Sequence, residues 1–366
     1  MLLSLCAVGV WYLAHNTLLN MSARGIQSGW EFLGESAGFD IGESAIPYDS
    51  FDPYWRAFLV GIFNTLRITL IGIVVATLLG TLLGIGRFSH NILVRGLCYV
   101  YVELFRNVPL LLQLLMWYLI LTEMLPSYDH AMSFGDKLWI SKDGLTLTTP
   151  IWEIGHLTAG IGALLGLIAT CFYLGRARRS FDETGKQSSL VGAPVLIVLS
   201  GAFVGWWAGG TPMAWNTPTL DSVGIQGGAS ISPEFLCVLL GLVLYTAAFI
   251  SEIVRSGLNA VPHGQSEAAA SLGLSRKLAI RLVLLPQSMR VIIPPITSQY
   301  LNLTKNSSLA VAIGYPDIVS VANTSLNQTG RAVECIAIIM GVYLMLSLST
   351  STFMNWYNRR AAIKER

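Results

Sequence analysis

Long apolar windows constrain this chain more than any other feature. A helix needs about 20 mostly apolar residues to cross the hydrocarbon core of a bilayer. Eight stretches approach that length: roughly 2–19, 57–86, 96–123, 157–175, 189–208, 232–254, 287–312 and 333–356. Charged residues make up only 12% of the chain, about half the share in an ordinary soluble domain. The reading is an all-α, polytopic integral membrane protein of about eight transmembrane helices, with the lipid bilayer as its solvent. A formal charge of +2 gives no case for nucleic acid. The first window has no basic residue before it and no Ala-x-Ala cleavage site, so it reads as a retained helix in a chain that starts late. The seventh contains Arg290, Pro294, Pro295 and Lys305 and is expected to be a broken helix, which survives only against protein or a water-filled cavity.

Basic residues alternate along the chain. Arg87 and Arg95 flank one short loop; Arg176, Arg178, Arg179 and Lys186 fill another. Arg276, Lys277 and Arg281 lie in a polar segment, and Arg359, Arg360, Lys364 and Arg366 end the chain. The intervening loops hold only Arg24, Arg56, Lys137, Lys142 and Arg331. Because Lys and Arg concentrate on the cytoplasmic side, both termini and the polar segment are expected there. The opposite segments Asn20–Pro53, Glu123–Glu153 and Gly209–Ser230 are rich in Gly, Ser, Asp, Pro and Trp and read as ordered loops. Trp152, Trp206, Trp207 and Trp215 suit interfacial anchors, and Gly80-x-x-x-Gly84 suits close helix packing.

The polar segment Val261–Lys277 sits between two apolar windows and must lie at the water interface. Pro262 and Ser266 suit a helix start, with Glu267 at the positive end of the dipole. Ala268, Ala269 and Ala270 make a thin helical face that fits a partner's groove. Gly273 supplies a left-handed terminator, Ser275 caps the next helix, and that helix stops at Pro286.

Charges inside the windows are costly and normally paired or functional. Glu103 and Arg106 lie three apart on one helical face, as do Glu252 and Arg255. Glu252/Arg255 is read first as an internal ion pair and second as a substrate contact, whereas for Glu103/Arg106 the two readings stand level. Arg67 either snorkels or meets Glu103. Asn107 and Gln113 lie near the first pair, and Lys305, Asn306, Ser307 and Ser308 follow the broken window, where donors suit a carboxylate at mid-membrane. Cys6, Cys98, Cys171, Cys237 and Cys335 form no CxxC pair and read as buried small apolar residues. His15, His90, His130, His156 and His263 show no metal-ligand spacing. No phosphate-binding loop exists, since Gly185-Lys186 lacks both the first glycine and the hydroxyl. Any ATP hydrolysis must come from another chain.

Glu267-Ala268-Ala269, Gly273 and Pro286 stand at the spacing of the cytoplasmic loop by which permeases of ATP-driven importers dock on their ATPase. The stretches Glu252–Gly273, Leu285–Ile296 and Lys305–Leu309 resemble the signature of the polar amino-acid uptake permeases. Tyr101–Gln113 is similar to that family's Glu-x-x-Arg-x-x-Pro-Leu-Leu-x-Gln block. Gly29–Gly42 and the extra helical pair within 124–230 resemble the larger branch serving general L-amino-acid uptake in Gram-negative bacteria. Three departures stand out: Asn306 where the family commonly has Asp, Ser307 where it has Thr, and Ser288 where it has Ala.

The resemblance implies a five-helix, type I importer core plus an N-terminal helix and an inserted pair. The expected division is 1–56 (N-terminal helix and periplasmic loop), 57–123 (first part of the core), 124–230 (inserted loops and helix pair) and 231–366 (second part, with the coupling loop). It implies alternating-access import of L-amino acids, acidic residues and their amides above all, across the bacterial inner membrane. The implied partners are a second homologous permease forming a heterodimer, two ATP-binding subunits that use ATP and Mg, and a periplasmic amino-acid-binding protein. No cofactor and no catalysis fall to this chain. Glu267, Ala268, Ala269, Gly273 and Pro286 are the expected coupling residues. Glu103, Arg106, Asn107, Gln113, Lys305, Asn306, Ser307 and Ser308 are the expected substrate pathway. A stand-alone secondary amino-acid transporter is the alternative, although no inverted repeat is visible. A membrane enzyme needs convergent reactive groups that the sequence does not supply.

Overall fold

A computed structural model describes residues 2–23, 25, 28–135, 137–184, 189, 192–221 and 224–361. Arg24, Lys186, Lys364 and Arg366, and the side chains of Cys6, Arg178 and Arg360, lie outside what is described. In chain order the first helices are α1 (Leu2–Ala23), α2 (Tyr54–Gly86), α3 (Ile92–Asn107), α4 (Leu110–Leu119), α5 (Ile154–Thr184) and α6 (Gly192–Ala208). They are followed by α7 (Pro233–Asn259), α8 (His263–Ser271), α9 (Arg276–Ala279), α10 (Leu285–Asn306), α11 (Ile318–Thr329) and α12 (Ala332–Ala361). Five helical spans among the described residues are long and apolar enough to cross a bilayer, or six if the bent pair α3–α4 counts as one. The eight expected windows are therefore not all matched by full spans: α6 has only 17 residues, and the third window is divided.

The chain forms two units, 1–124 with 232–366, and 125–231. In the first, α2 packs along α7, and α7 also meets α3, α4 and α10. The Gly80/Gly84 pair is the reason α2 and α7 approach so closely. A Cβ on Gly80 would stand 2.7 Å from the Ala247 carbonyl oxygen, and one on Gly84 would stand 2.8 Å from Val254 Cβ. Buried Ala76, Val243, Ala247, Ile250, Ile292 and Leu303 fill this contact. A second cluster forms where Phe32, Ala37 and Ile41 of the segment before α2 pack with Phe58, Ile318 and Val342. Glu43 of that segment pairs with Arg67 at 2.6 Å, so Arg67 meets Glu43 rather than Glu103. Glu43 also accepts from the Ser232 hydroxyl, which itself receives the Phe235 N–H as the cap of α7.

Breaks fall elsewhere than expected. Pro294 and Pro295 sit inside a continuous α10, and the helical path persists from Arg276 to Ile313. The sharp bend, 105°, lies between α3 and α4. Pro109 forces Val108 into extended backbone (φ −97°, ψ 129°), which ends α3. Nor does the chain stop at Pro286. A wide π-helical turn at Ile280–Leu284 precedes it, and Pro286 occupies the first turn of α10, where a missing N–H is harmless. Beyond α10 a 3-10 turn, Ser307–Ile313, packs against α4 and α7.

Among the described residues the second unit holds α5 and α6 together with eight short strands. Met132–Phe134, Leu138–Ser141, Gly144–Leu147 and Ala229–Ile231 form one antiparallel sheet, and two further two-stranded ladders accompany it. The sequence read these stretches only as ordered loops, because runs of two to four residues show no period. The α5–α6 contact is lined by glycine: a Cβ on Gly162 would stand 2.1 Å from the Gly201 carbonyl oxygen. Trp152, Trp207 and Trp215 are exposed, and so is Cys171, against the expectation of burial.

Candidate functional site

The segment between α7 and α10 is built as a protruding helical knob. α8 begins at His263, earlier than Ser266, whose hydroxyl instead donates back to the His263 carbonyl at 2.6 Å. Proline at 262 fixes the entry, since its ring angle suits the residue just before a helix. Ala269 alone in α8 is buried; Glu267 and Ala268 are exposed, and Leu272 just beyond is 80% exposed. Gly273 adopts φ +72°, a conformation that costs other residues about 1 kcal/mol or more. Its N–H bonds the Ala270 carbonyl at 2.9 Å, and the Leu274 N–H bonds Ala269 at 3.1 Å. These two bonds close the helix in a Schellman turn. Ser275 stands at the cap position of α9, but its hydroxyl makes no capping bond. A groove of about 350 Å³ lies between α8 and the start of the returning helix, lined by Ser266, Ala270, Leu274, Arg276 and Ile280. Gln287 Nε2 donates to Gln265 Oε1 at 3.0 Å and ties the knob to α10. The knob therefore has a small-sided, exposed face and a fixed root.

Two turns before the end of α7 lies a charge node. Glu252 Oε2 receives Arg87 at 2.5 Å, from the cap of α2, and stands 3.7 Å from Arg106 of α3. Its other oxygen pairs with Arg255. The Glu252–Arg255 pairing read from the sequence is thus present. Glu103–Arg106 is not: Arg106 turns to α7 and lies 5.3 Å over the Phe249 ring, while Glu103 accepts from Asn107 at 3.3 Å. The spacing of three made the local pair visible, whereas the competing carboxylate on another helix carries no sequence signal.

The other expected pathway residues divide by environment. Gln113 is buried, and its amide donates at 2.9 Å to both the Phe105 and Val108 carbonyls, which the bend leaves without helical partners. Lys305 is exposed at the end of α10, with Asn306 half-buried beside it. Ser307 is buried and donates to the Thr304 carbonyl at 2.7 Å, and Ser308 donates to the Lys305 carbonyl at 2.8 Å. The two groups approach through the packing of the Ser307–Ile313 turn on α4; among the described residues no hydrogen bond or ion pair joins them. No cluster of His, Cys, Asp or Glu suited to a metal occurs among the described residues.

One residue escaped the sequence reading. Asp317 is fully buried and caps α11 by accepting the Ser320 N–H at 2.8 Å. Burial pushes its carboxyl up to about 7, outweighing the backbone N–H groups that hold it down. Its signal was available: a proline followed by Asp before an apolar periodic run marks a helix start.

The model of the family described as binding-protein-dependent transport system inner membrane component matches residues 72–363. The chain is 43% identical over 357 residues to the general L-amino acid transport system permease protein AapQ of Rhizobium johnstonii, covering 98% of this chain and 89% of that protein. It is 44% identical to the putative amino-acid ABC transporter permease protein YhdX of Escherichia coli K12, with coverages of 98% and 91%. Against the glutamate/glutamine/aspartate/asparagine transport system permease protein BztB of Rhodobacter capsulatus it is 35% identical, over 100% of this chain and 92% of that protein. Its apolar spans, its exposed knob and a match across most of its length converge: the chain belongs to the family of binding-protein-dependent transport system inner membrane components.

Proposed function

We propose that the chain is the permease subunit of an ATP-driven importer that carries L-amino acids from periplasm to cytoplasm by alternating access. The relatives it matches carry amino-acid transport names, which supports acidic residues and their amides, within a broader range, as cargo. The observation that carries the reading is the knob: an exposed small-residue helix, closed by left-handed Gly273 and rooted between two membrane-crossing helices. Such a shape transmits force only to a partner that grips it.

In this reading Glu267, Ala268, Ala269 and Gly273 meet an ATP-binding subunit, and Pro286 marks where the knob rejoins the membrane. Two such subunits use ATP with Mg; a second homologous permease completes the pathway, and a periplasmic binding protein delivers cargo. The knob and both termini face the cytoplasm of an inner-membrane protein. The division into 1–56, 57–123, 124–230 and 231–366 stands as part of the proposal. Closure of the ATPases moves α8 as a unit and re-packs the spans between two arrangements. Glu103, Arg106, Asn107, Lys305, Asn306 and Ser308 supply polar groups along the route, while Gln113 and Ser307 hold its backbone in place.

Substituting Gly273→Trp tests this. The bulky residue strains the left-handed turn and blocks the gripped face. Uptake and cargo-stimulated ATP hydrolysis by the assembled complex are expected to fall at least 10-fold, with membrane insertion unchanged. Undiminished uptake in that variant, or accumulation by the lone chain in liposomes, sinks the reading.

A further inference from the structure

Arg106 is the loosest member of the node around Glu252. Arg87 approaches Oε2 at 2.5 Å, whereas Arg106 stands 3.7 Å from the same atom. One carboxylate facing three guanidinium groups leaves an excess of positive charge. Three residues back on α3, Glu103 has the opposite shortage: its side-chain partner among the described residues is the neutral Asn107 amide, at 3.3 Å. Residues three apart on a helix are close enough to pair. A change of rotamer therefore takes Arg106 from the carboxylate on α7 to one on its own helix.

We propose that Arg106 is a two-position positioning residue: it engages Glu252 while α3 lies against α7, and passes to Glu103 when the two helices part. The physical advantage is charge balance. Within a membrane span a stranded cation is costly, so a single ion pair across α3 and α7 would strongly penalise separating them. A second carboxylate on α3 removes that penalty from the parted arrangement. The two states then lie close in energy, as a bistable element requires. The Phe249 ring, 5.3 Å from the guanidinium, offers a further cation–π contact on the α7 side. Glu252 lies two turns from the end of α7, the helix that leads into the knob, so a movement of α7 driven there reaches Arg106 through one side chain.

The inference rests on the import reading for its purpose, but the exchange itself is readable without transport. In the complete complex, co-expressed with its partner subunits and held in lipid nanodiscs, spin labels are placed at exposed Leu97 on α3 and Leu240 on α7, with native cysteines replaced. Cycling with Mg-ATP is expected to give two distance populations. Glu103→Gln removes the second docking point and should leave only the shorter distance; Glu252→Gln should leave only the longer. A distribution unaltered by Glu103→Gln overturns the proposal. Glu252→Gln strands three arginines and risks misassembly, so Arg106→Gln supplies the second arm. In that background Glu103→Gln should become silent, and an effect that persists without Arg106 also overturns the proposal. Uptake that fails while the two distances still exchange would count against the import reading alone.

Discussion

The α2–α7 pair and the α5–α6 pair both bring backbones together through glycine, yet they differ in what else they carry. Between α5 and α6 the closest atoms are backbone carbonyls and Cα atoms, such as Gly162 against Gly201, and among the described residues no ion pair joins the two helices. Between α2 and α7 the same close approach at Gly80 and Gly84 ends in the Arg87–Glu252 pair. In lipid, small residues suffice to hold a helical hairpin, because packing replaces the missing hydrophobic drive. Charge is an extra cost that such an arrangement does not need. Its presence on one pair alone separates a helix contact that only packs from one that also carries an ion pair.

That contrast can be broken most directly by overfilling each contact. Leucine at Gly80 or at Gly162 places a Cβ within 2.7 or 2.1 Å of the facing backbone oxygen, and overpacking of this kind costs about 1–3 kcal/mol or more. Both variants are expected to lower the melting temperature of the purified complex. Only Gly80→Leu should abolish uptake per assembled transporter; equal loss in both erases the distinction.

A smaller effect, on pH, sharpens it. The Asp317 carboxyl is raised from its ordinary 3.8 to about 7 in the folded protein. The fold therefore favours the protonated form, and this stabilisation is complete below pH 4 and lost as pH climbs through 7. The loss is on the order of 4 kcal/mol. Asp317→Asn keeps an acceptor for the Ser320 N–H and should flatten the melting temperature over that range. A wild-type pH slope in the Asn variant removes Asp317 as its source.

The mildest change concerns the start of α7. Ser232→Ala deletes the bond to the Phe235 N–H and the link to Glu43, and is expected to cost about 1 kcal/mol, read by chemical denaturation in detergent. A loss several times larger would mean that the Glu43 link, not the cap, dominates.

What the sequence made legible follows from what is local. Gly273 announces a left-handed turn by itself, and Gly80/Gly84 announce a close approach without naming the partner. The apolar windows mark spans because bilayer thickness sets one length for all. Pro109 and Pro294–Pro295 look alike in sequence, yet the first ends α3 while the others lie inside a continuous α10. Arg106 illustrates the same limit for charge. Its neighbour Glu103 is visible at a glance, while Glu252, 146 positions away by their numbers, is visible only once α3 lies on α7. Strands of two to four residues leave no periodic trace at all.

The Gln113 amide has a mechanical consequence. By holding the Phe105 and Val108 carbonyls together, it closes the corner between α3 and α4 with the bonds that Pro109 took away. A corner braced from inside behaves as an elbow with a locked joint, not as a loose pivot. In the exchange proposed for Arg106, a tug on one arm would therefore swing Leu110–Leu119 on the other.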